Sequence, residues 1–227
     1  MTKAISAVRE HLAASNRALP YLSAELVKRL PVAAGLGGGS SDAVAALKLV
    51  ARFAASQGHP ISQDAMLDMA LKLGADCPLF LMNGPVRMEG IGEQLSKLDG
   101  WSGLEVVLVN PNVPVSTPEI FRELQNKTQP AVADLPASWA TTEDRLQWLA
   151  AHTRNDLQTP AIAMEPVITD VLAILDGAEN CVLARMSGSG ATCFGLFADH
   201  GAAAKAAVAI QAQRPQWWVA QSHTIGN

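Results

Sequence analysis

Charge is scarce in this chain and is not concentrated in one sign. Charged residues make up 17% of the 227 residues, and hydrophobic residues make up 49%. Roughly a quarter of an average globular chain is charged, and the high apolar content excludes a disordered segment or a charge-stabilised scaffold. The 17 Lys and Arg face 21 Asp and Glu, for a net charge of −4, and no basic stripe is present to neutralise a polyphosphate backbone. We therefore expect a folded protein with no nucleic-acid partner.

Cysteine is equally sparse, and the start of the chain has no long apolar run. The three cysteines, Cys77, Cys181 and Cys193, are not arranged as a Cys-x-x-Cys pair, which argues against a disulfide framework and a structural zinc site. Charged residues interrupt residues 1–10 every few positions, so this stretch is typical of neither a signal peptide nor a membrane span. We expect a cytoplasmic protein without a membrane partner, and the sequence assigns no metal ligands.

Hydrophobic periodicity in the first part of the chain predicts three helices, over residues 3–13, 40–55 and 62–73. Ser62 is the predicted N-cap of the third helix, and Gly74 its end. Alternation predicts a strand over residues 21–28. Two short strands are predicted at residues 86–88 and 93–98. We expect Asp99-Gly100 to separate two domains, residues 1–99 and residues 100–227.

The second part of the chain has a regular order of elements. An apolar strand is predicted over residues 104–109, a helical region over 116–176, a strand pair over 181–186 and 191–197, a helix over 200–213 and a strand over 217–220. The order strand, helix, strand, strand, helix, strand is that of a ferredoxin-like sheet. We therefore predict an α+β fold.

The densest glycine cluster opens directly into the second predicted helix. Glycines let the backbone approach a ligand closely, and a helix start presents free N–H groups and a partial positive charge, so this pattern is typical of a phosphate site. The two serines add hydroxyls that can meet a phosphate oxygen or a phosphate-bound magnesium ion. The alternative is a flexible linker that happens to precede a helix. The residues are Pro31, Val32, Ala33, Ala34, Gly35, Leu36, Gly37, Gly38, Gly39, Ser40 and Ser41.

This glycine loop fits neither of the two commonest phosphate-binding motifs. A Walker loop ends in Gly-Lys followed by Ser or Thr, whereas this loop ends Gly39-Ser40-Ser41. The dinucleotide fingerprint requires an acidic residue about twenty positions further on, and none is found there. Both classes are therefore excluded.

Three motifs together resemble a known family. They are the glycine loop, Gly74-Ala75-Asp76-Cys77-Pro78, and Glu89-Gly90-Ile91-Gly92-Glu93. The loop alone resembles the GHMP superfamily of galactokinase, homoserine kinase, mevalonate kinase and phosphomevalonate kinase. The combination resembles, more specifically, the family of 4-diphosphocytidyl-2-C-methyl-D-erythritol kinases. The resemblance implies a two-domain GHMP-kinase-like fold, with an N-terminal α/β domain followed by the ferredoxin-like domain.

The resemblance also implies the reaction and its cofactors. ATP and Mg²⁺ are expected, and the γ-phosphate of ATP is expected to pass to a hydroxyl of the methylerythritol unit, with the cytidine diphosphate end as a recognition handle. Asp76 matches the catalytic aspartate, which accepts the proton of the acceptor hydroxyl. The alternative for Asp76 is a turn or helix-terminus residue. We expect this small-molecule enzyme to be a monomer or a homodimer.

Further residues are assigned by the same resemblance. Lys28 matches a position on the nucleotide side, although a lone strand lysine is often only solvated. Thr117 is expected on the substrate side, or as a helix cap before Pro118. A second glycine loop near the phosphate-transfer site is also implied, with a plain hairpin turn as its alternative. It comprises Ser187, Gly188, Ser189 and Gly190.

Two motifs of the family do not occur in this sequence. Relatives carry Ala-Lys-x-Asn-Leu and a Tyr-His pair before the first long helix, and this sequence contains neither. We expect that an N-terminal segment is absent, that an open sheet edge remains beside residues 21–28, and that phosphoryl transfer by this chain is strongly impaired. The alternatives are another GHMP small-molecule kinase, of homoserine or mevalonate type, or an inactive nucleotide-binding remnant.

Overall fold

The chain divides into two units. The computed structural model describes residues 1–82, 84–90, 92, 94–101, 103–126 and 128–225. The first unit comprises Met1–Arg29 and Gly37–Asp99, and the second comprises Leu30–Leu36 and Gly100–Asn227. The boundary between them therefore passes through the glycine loop, whose first half packs with the second unit. None of the described helices is both long and apolar enough to cross a membrane.

Three helices form the core of the first unit. They are α1 (Thr2–Ala13), α2 (Gly38–Ser56) and α3 (Gln63–Leu73). Apolar side chains recur every three or four residues and give each helix one buried stripe, such as Val44, Leu47 and Val50 on α2. All three predicted helices are confirmed, and so is the Ser62 cap, whose hydroxyl accepts from the Ala65 N–H at 3.3 Å.

The strand predicted over residues 21–28 is wrong. This segment is extended, but in the described part of the chain neither sheet includes it. Tyr21 is 96% exposed and Val27 is 70% exposed. Alternation gives a segment the tendency to be extended, but a strand also needs a neighbour that takes up its backbone hydrogen bonds, and the described residues supply none.

A short 3-10 helix and a hairpin complete the first unit. The 3-10 helix, Cys77–Leu81, follows α3 after Gly74 and was not predicted. Strands β1 (Val86–Glu89) and β2 (Gln94–Lys97) pair antiparallel, close to the two predicted strands. Ile91 and Glu93, from the third sequence motif, lie outside the described residues.

The second unit is built on a four-stranded antiparallel sheet. Its strands are β3 (Glu105–Asn110), β4 (Cys181–Met186), β5 (Cys193–Phe197) and β6 (Trp218–His223), in the spatial order β4-β5-β3-β6. Its helices are α4 (Thr117–Glu123), α5 (Thr142–His152), α6 (Gln158–Met164), α7 (Val167–Asp176) and α8 (His200–Gln213). This order confirms the predicted ferredoxin-like sheet and the α+β class.

Both faces of this sheet are covered. Because successive strand residues point to opposite faces, Val107 and Val109 of β3 join the core that contains α7 and α8, whereas Val106 packs with Leu146 of α5. Strand β5 begins at Cys193, two residues later than predicted, because Ala191 and Thr192 belong to the turn from β4. That turn carries the second glycine loop.

Candidate active site

In the first unit the glycine loop ends as the uncapped N-terminus of α2. Gly37 is the N-cap, in the left-handed region at φ 64°, and the described residues supply no side-chain cap hydrogen bond to this helix start. The Gly37 carbonyl begins the helical ladder by accepting from the Ser41 N–H at 2.9 Å. A methyl group built on Gly39 would contact nothing within 4 Å. The first turn, Gly38 to Ser40, is therefore open to an anion, which the free N–H groups and the helix dipole favour.

Phe80 of the 3-10 helix lies directly against Gly37. A Cβ on Gly37 would lie 2.8 Å from Phe80 Cζ, so glycine is required there for close approach as well as for its φ angle. Lys48 of α2 donates from Nζ to the Phe80 carbonyl oxygen at 2.7 Å. The 3-10 helix is thereby fixed against α2.

Asp76 immediately precedes the 3-10 helix and is exposed. Among the residues that the structure describes, none forms a hydrogen bond or ion pair with its carboxylate. The next residue, Cys77, is 1% exposed, and burial raises the pKa of its thiol, while a hydrogen bond with the Ser40 side chain acts in the opposite direction. The residue that follows Asp76 therefore interacts with Ser40, in the first turn of α2.

Lys28 is paired with the same helix. Its Nζ lies 2.6 Å from Asp42 Oδ2, and the two side chains are 29% and 28% exposed. The lysine is therefore not simply solvated. The ion pair places a positive charge next to the N-terminal turns of α2.

The first half of the glycine loop belongs to the second unit, where it contacts the second glycine loop. The Gly35 carbonyl accepts from Ser187 Oγ at 2.9 Å. The neighbouring Ala34 carbonyl accepts from the Thr192 N–H at 3.3 Å. Pro31 and Leu36 are half-buried and Val32 is exposed, and Ala33 adopts a positive φ of 54°.

Two glycines make this approach possible. A Cβ on Gly35 would lie 2.3 Å from the Ser187 carbonyl oxygen, and one on Gly188 would lie 2.6 Å from the Gly35 oxygen. Gly188 and Gly190 have positive φ angles of 53° and 88°. The loop is therefore a hairpin turn between β4 and β5, as the alternative interpretation expected, and it also packs against the first loop.

Thr117 points its hydroxyl to the second glycine loop. Its Oγ1 lies 2.6 Å from Ser189 Oγ, and Ser189 is buried. The N-cap of α4 is Ser116, without a side-chain cap. A helix does begin at Thr117, as the alternative interpretation expected, but Thr117 is not its cap, because the Thr117 hydroxyl bonds to Ser189 and not to the helix.

Sequence reasoning missed three residues that hold these loops. Lys48 fixes the 3-10 helix, Asn155 donates to two carbonyls around the second glycine loop, and Asn110, 2% exposed, donates to Thr192 Oγ1 at 2.8 Å. No local pattern marks these residues, because each partner is distant in sequence. Among the described residues, no group of three or more His, Cys, Asp and Glu is arranged to hold a metal ion.

Comparison with known proteins identifies the family. The model described as "GHMP kinases N terminal domain" matches residues 1–84, and "GHMP kinases C terminal" matches residues 137–216. The 4-diphosphocytidyl-2-C-methyl-D-erythritol kinase of Cereibacter sphaeroides is 47% identical over 206 residues, which cover 88% of this chain and 70% of that protein. The chain belongs to the GHMP kinase family. The enzyme of the same name from Dinoroseobacter shibae is 50% identical over 196 residues. These residues cover 86% of this chain and 65% of the Dinoroseobacter enzyme.

Solved structures agree with this family. A crystal structure of 4-(cytidine 5'-diphospho)-2C-methyl-D-erythritol kinase matches this chain with a TM-score of 0.72 at 27% sequence identity. The match covers 99% of this chain and 78% of the crystallised chain. A homoserine kinase from Cytophaga hutchinsonii matches with a TM-score of 0.60 at 19% identity, over 99% of this chain and 76% of the homoserine kinase. At this identity the match shows a shared fold only. The chain spans about two thirds of the length of the first curated relatives, 65% and 67%.

Proposed function

We propose that this GHMP kinase transfers the γ-phosphate of ATP to a hydroxyl of 4-diphosphocytidyl-2-C-methyl-D-erythritol. The substrate is the compound in the names of the relatives, at 47% and 50% identity. The observation that carries the proposal is the Asp76 carboxylate, which has no hydrogen bond or ion pair among the described residues and precedes Cys77, whose thiol interacts with Ser40 in the first turn of α2. A carboxylate and an anion site side by side are what phosphoryl transfer to an alcohol requires.

The glycine loop is the proposed triphosphate site. The free N–H groups of the first α2 turn donate to phosphate oxygens, and the helix dipole favours their negative charge. Ser40 and Ser41 supply hydroxyls at the same turn. Lys28 offsets phosphate charge if it leaves Asp42 for the nucleotide, and residues 31–36 supply backbone along the remaining length of the loop.

Asp76 is the proposed proton acceptor. The acceptor hydroxyl forms a new O–P bond to the γ-phosphorus, the bond from that phosphorus to the bridging oxygen of ADP breaks, and the hydroxyl proton passes to Asp76. No neighbouring cation or donor occupies this carboxylate among the described residues. Its lone pairs are therefore available to orient the hydroxyl.

Mg²⁺ is proposed as the metal that accompanies ATP. Magnesium keeps several waters and usually takes only one or two protein ligands besides the phosphates. The donor set around α2 suits this mode, because it offers the Ser40 and Ser41 hydroxyls, and the described residues form no preformed cage of metal ligands. The ion would neutralise charge on the transferred group.

Further assignments rest on the family resemblance. Thr117 and Ser187 to Gly190 are the proposed substrate-side residues. Residues 1–99 are the proposed ATP-binding domain, residues 100–227 the proposed C-terminal domain, and the chain a monomer or homodimer. A cytoplasmic location is supported by three unpaired cysteines, as expected in a reducing compartment.

Transfer of labelled phosphate tests the proposal. The chain is incubated with γ-labelled ATP and, separately, with 4-diphosphocytidyl-2-C-methyl-D-erythritol, homoserine and mevalonate. Label is expected in the first compound alone, and at a low rate, because the sequence contains neither the Ala-Lys-x-Asn-Leu motif nor the Tyr-His pair of the relatives. Asp76→Asn is expected to lower the rate by about 10²- to 10⁴-fold, the usual contribution of a general base, with the melting temperature unchanged because Asp76 is exposed.

Asp68→Asn is the matched control. Asp68 is also an exposed aspartate of the first unit, on α3, and this variant should transfer phosphate like the wild type. The proposal is overturned if the wild type labels none of the three compounds, labels another acceptor instead, or loses no activity when Asp76 is replaced.

A further inference from the structure

Asn155 donates hydrogen bonds to the backbone carbonyls on either side of Ser187, where the second glycine loop begins. It lies between α5 and α6, and its Nδ2 donates to the Met186 carbonyl at 2.7 Å and to the Gly188 carbonyl at 2.8 Å. Its Oδ1 accepts from the Leu157 N–H at 2.9 Å. Both hydrogens of the amide are used, and its oxygen is anchored, so the orientation of the side chain is fixed.

These bonds determine which way the loop faces. The Met186 and Gly188 carbonyls point to Asn155, whereas the intervening Ser187 carbonyl lies so close to Gly35 that a Cβ there would be 2.3 Å away. The same Ser187 carbonyl accepts from the Gly190 N–H at 2.9 Å. The Ser187 hydroxyl also bonds to the Gly35 carbonyl. Holding the two outer carbonyls therefore directs Ser187 to the first glycine loop.

We infer that Asn155 is a positioning residue for nucleotide binding, acting through Ser187 on the Gly35 segment of the loop. The inference rests on the proposed function for its effect on ATP, and on the hydrogen bonds alone for its effect on the loop. Thr117 also holds the loop from inside, through the Ser189 hydroxyl, and other contacts hold its edges. Gln158 accepts from the Met186 N–H at 3.0 Å, and Asn110 donates to Thr192, whereas Asn155 reaches Gly188 inside it.

The Asn155 side chain must be a hydrogen-bond donor as well as being of the right size. Both loop atoms that contact Nδ2 are carbonyl oxygens, which only accept. An aspartate at this position keeps the acceptor for Leu157 but places a carboxylate oxygen against two carbonyls. Asn155→Asp therefore removes two hydrogen bonds and adds repulsion without changing the shape of the side chain.

Amide hydrogen exchange measured by NMR tests the effect on the loop. In Asn155→Asp the exchange of the Gly190 and Thr192 amides is expected to rise by about tenfold or more, the order expected from a lost hydrogen bond, while amides in the centre of β3 are unchanged. Asn126→Asp is the matched control, because Asn126 likewise accepts from a backbone N–H two residues on, Thr128, and is exposed. Asn155→Ala, which removes both donors without adding charge, is measured in parallel in case the aspartate variant does not fold.

ATP titration calorimetry on the same proteins tests the effect on the nucleotide. The ATP dissociation constant of Asn155→Asp is expected to be about tenfold higher than that of the wild type. This difference between the two dissociation constants is expected to become smaller as the pH falls through the carboxyl pKa, because a protonated Asp can donate to one carbonyl. A purely structural role would not give that pH profile. Unchanged exchange at Gly190 and Thr192 overturns the inference, as does unchanged ATP affinity in the variant. If the wild type itself binds no ATP, the proposed function fails, and the role of Asn155 in it fails too, whatever the exchange shows.

Discussion

The Ser187 hydroxyl donates to the Gly35 carbonyl at 2.9 Å across 152 positions of sequence. Both glycine-rich loops depend on this contact, because the backbones approach within a distance that a side chain on Gly35 would occupy. The structural requirement for glycine therefore differs along this loop. At Gly35 the reason is the neighbouring backbone, whereas at Gly39 no described atom stands in the way of a Cβ.

Replacing these two glycines by alanine is expected to have opposite effects on stability. Gly35→Ala combines a φ of +69° with a Cβ 2.3 Å from a backbone oxygen, so it should lower the free energy of unfolding by more than about 2 kcal/mol. Gly39→Ala lies in α2 and should raise it by up to about 1 kcal/mol. Urea denaturation measures both. Equal stability of the two variants would contradict the role of the Ser187 contact.

The Lys28 and Asp42 pair is expected to matter more for the nucleotide than for the fold. Both side chains are about a third exposed, so Lys28→Met should change the free energy of unfolding by less than about 1 kcal/mol. It should weaken ATP binding more than Asp42→Asn does, because Asp42→Asn keeps the lysine and frees it for a phosphate. Calorimetry with ATP separates the two, and equal losses in both variants would show that only the ion pair matters.

Local signals determined what the sequence could predict. The helix α2 and the Ser62 cap follow from periodicity and from one serine next to an apolar run, and both depend on residues a few positions apart. The strand at residues 21–28 was predicted from alternation alone, and alternation says nothing about a pairing partner. The 3-10 helix after Gly74 has too few residues to show a period.

The same distinction applies to the candidate site. The glycine loop and Asp76 were predicted because motifs mark them, and the structure adds an interaction between Cys77, the residue after Asp76, and Ser40 of α2. Asn155 was missed because its partners are 31 and 33 positions away. The Thr117 hydroxyl was given a capping alternative because Ser189, 72 positions further on, is invisible to a local pattern.

The cysteines give a pH dependence with a defined sign. Burial raises the pKa of Cys193 to about 12 and that of Cys181 to about 11, from 9.0. The neutral thiols are favoured in the folded protein, so their contribution to stability is complete below about pH 9 and is lost as the pH rises toward the folded-state values. Denaturant midpoints should therefore fall above about pH 9.

Alkylation of native protein checks the same two thiols. At about pH 8 both thiols are almost entirely protonated, and the buried Cys193 is expected to resist iodoacetamide more strongly than the half-buried Cys181. Unfolded protein in urea, where all three cysteines are accessible, is the control. Rapid labelling of Cys193 in the native protein would contradict its burial.

Lys48 is expected to stabilise the first unit through a single hydrogen bond. Its Nζ donates to the Phe80 carbonyl at 2.7 Å, and Phe80 in turn lies against Gly37. Lys48→Met keeps the apolar stem but leaves that half-buried carbonyl without its donor, which should cost about 1–3 kcal/mol in the free energy of unfolding. Lys48→Arg retains a cationic donor and should recover part of the loss.

The same substitution should also affect the segment around Asp76, because Asp76 precedes the 3-10 helix. In Lys48→Met the Cys77 amide, which donates to the Gly74 carbonyl at 3.0 Å, should exchange its hydrogen faster. Equal stability and exchange in the methionine and arginine variants would show that the hydrogen bond to Phe80 does not hold the helix.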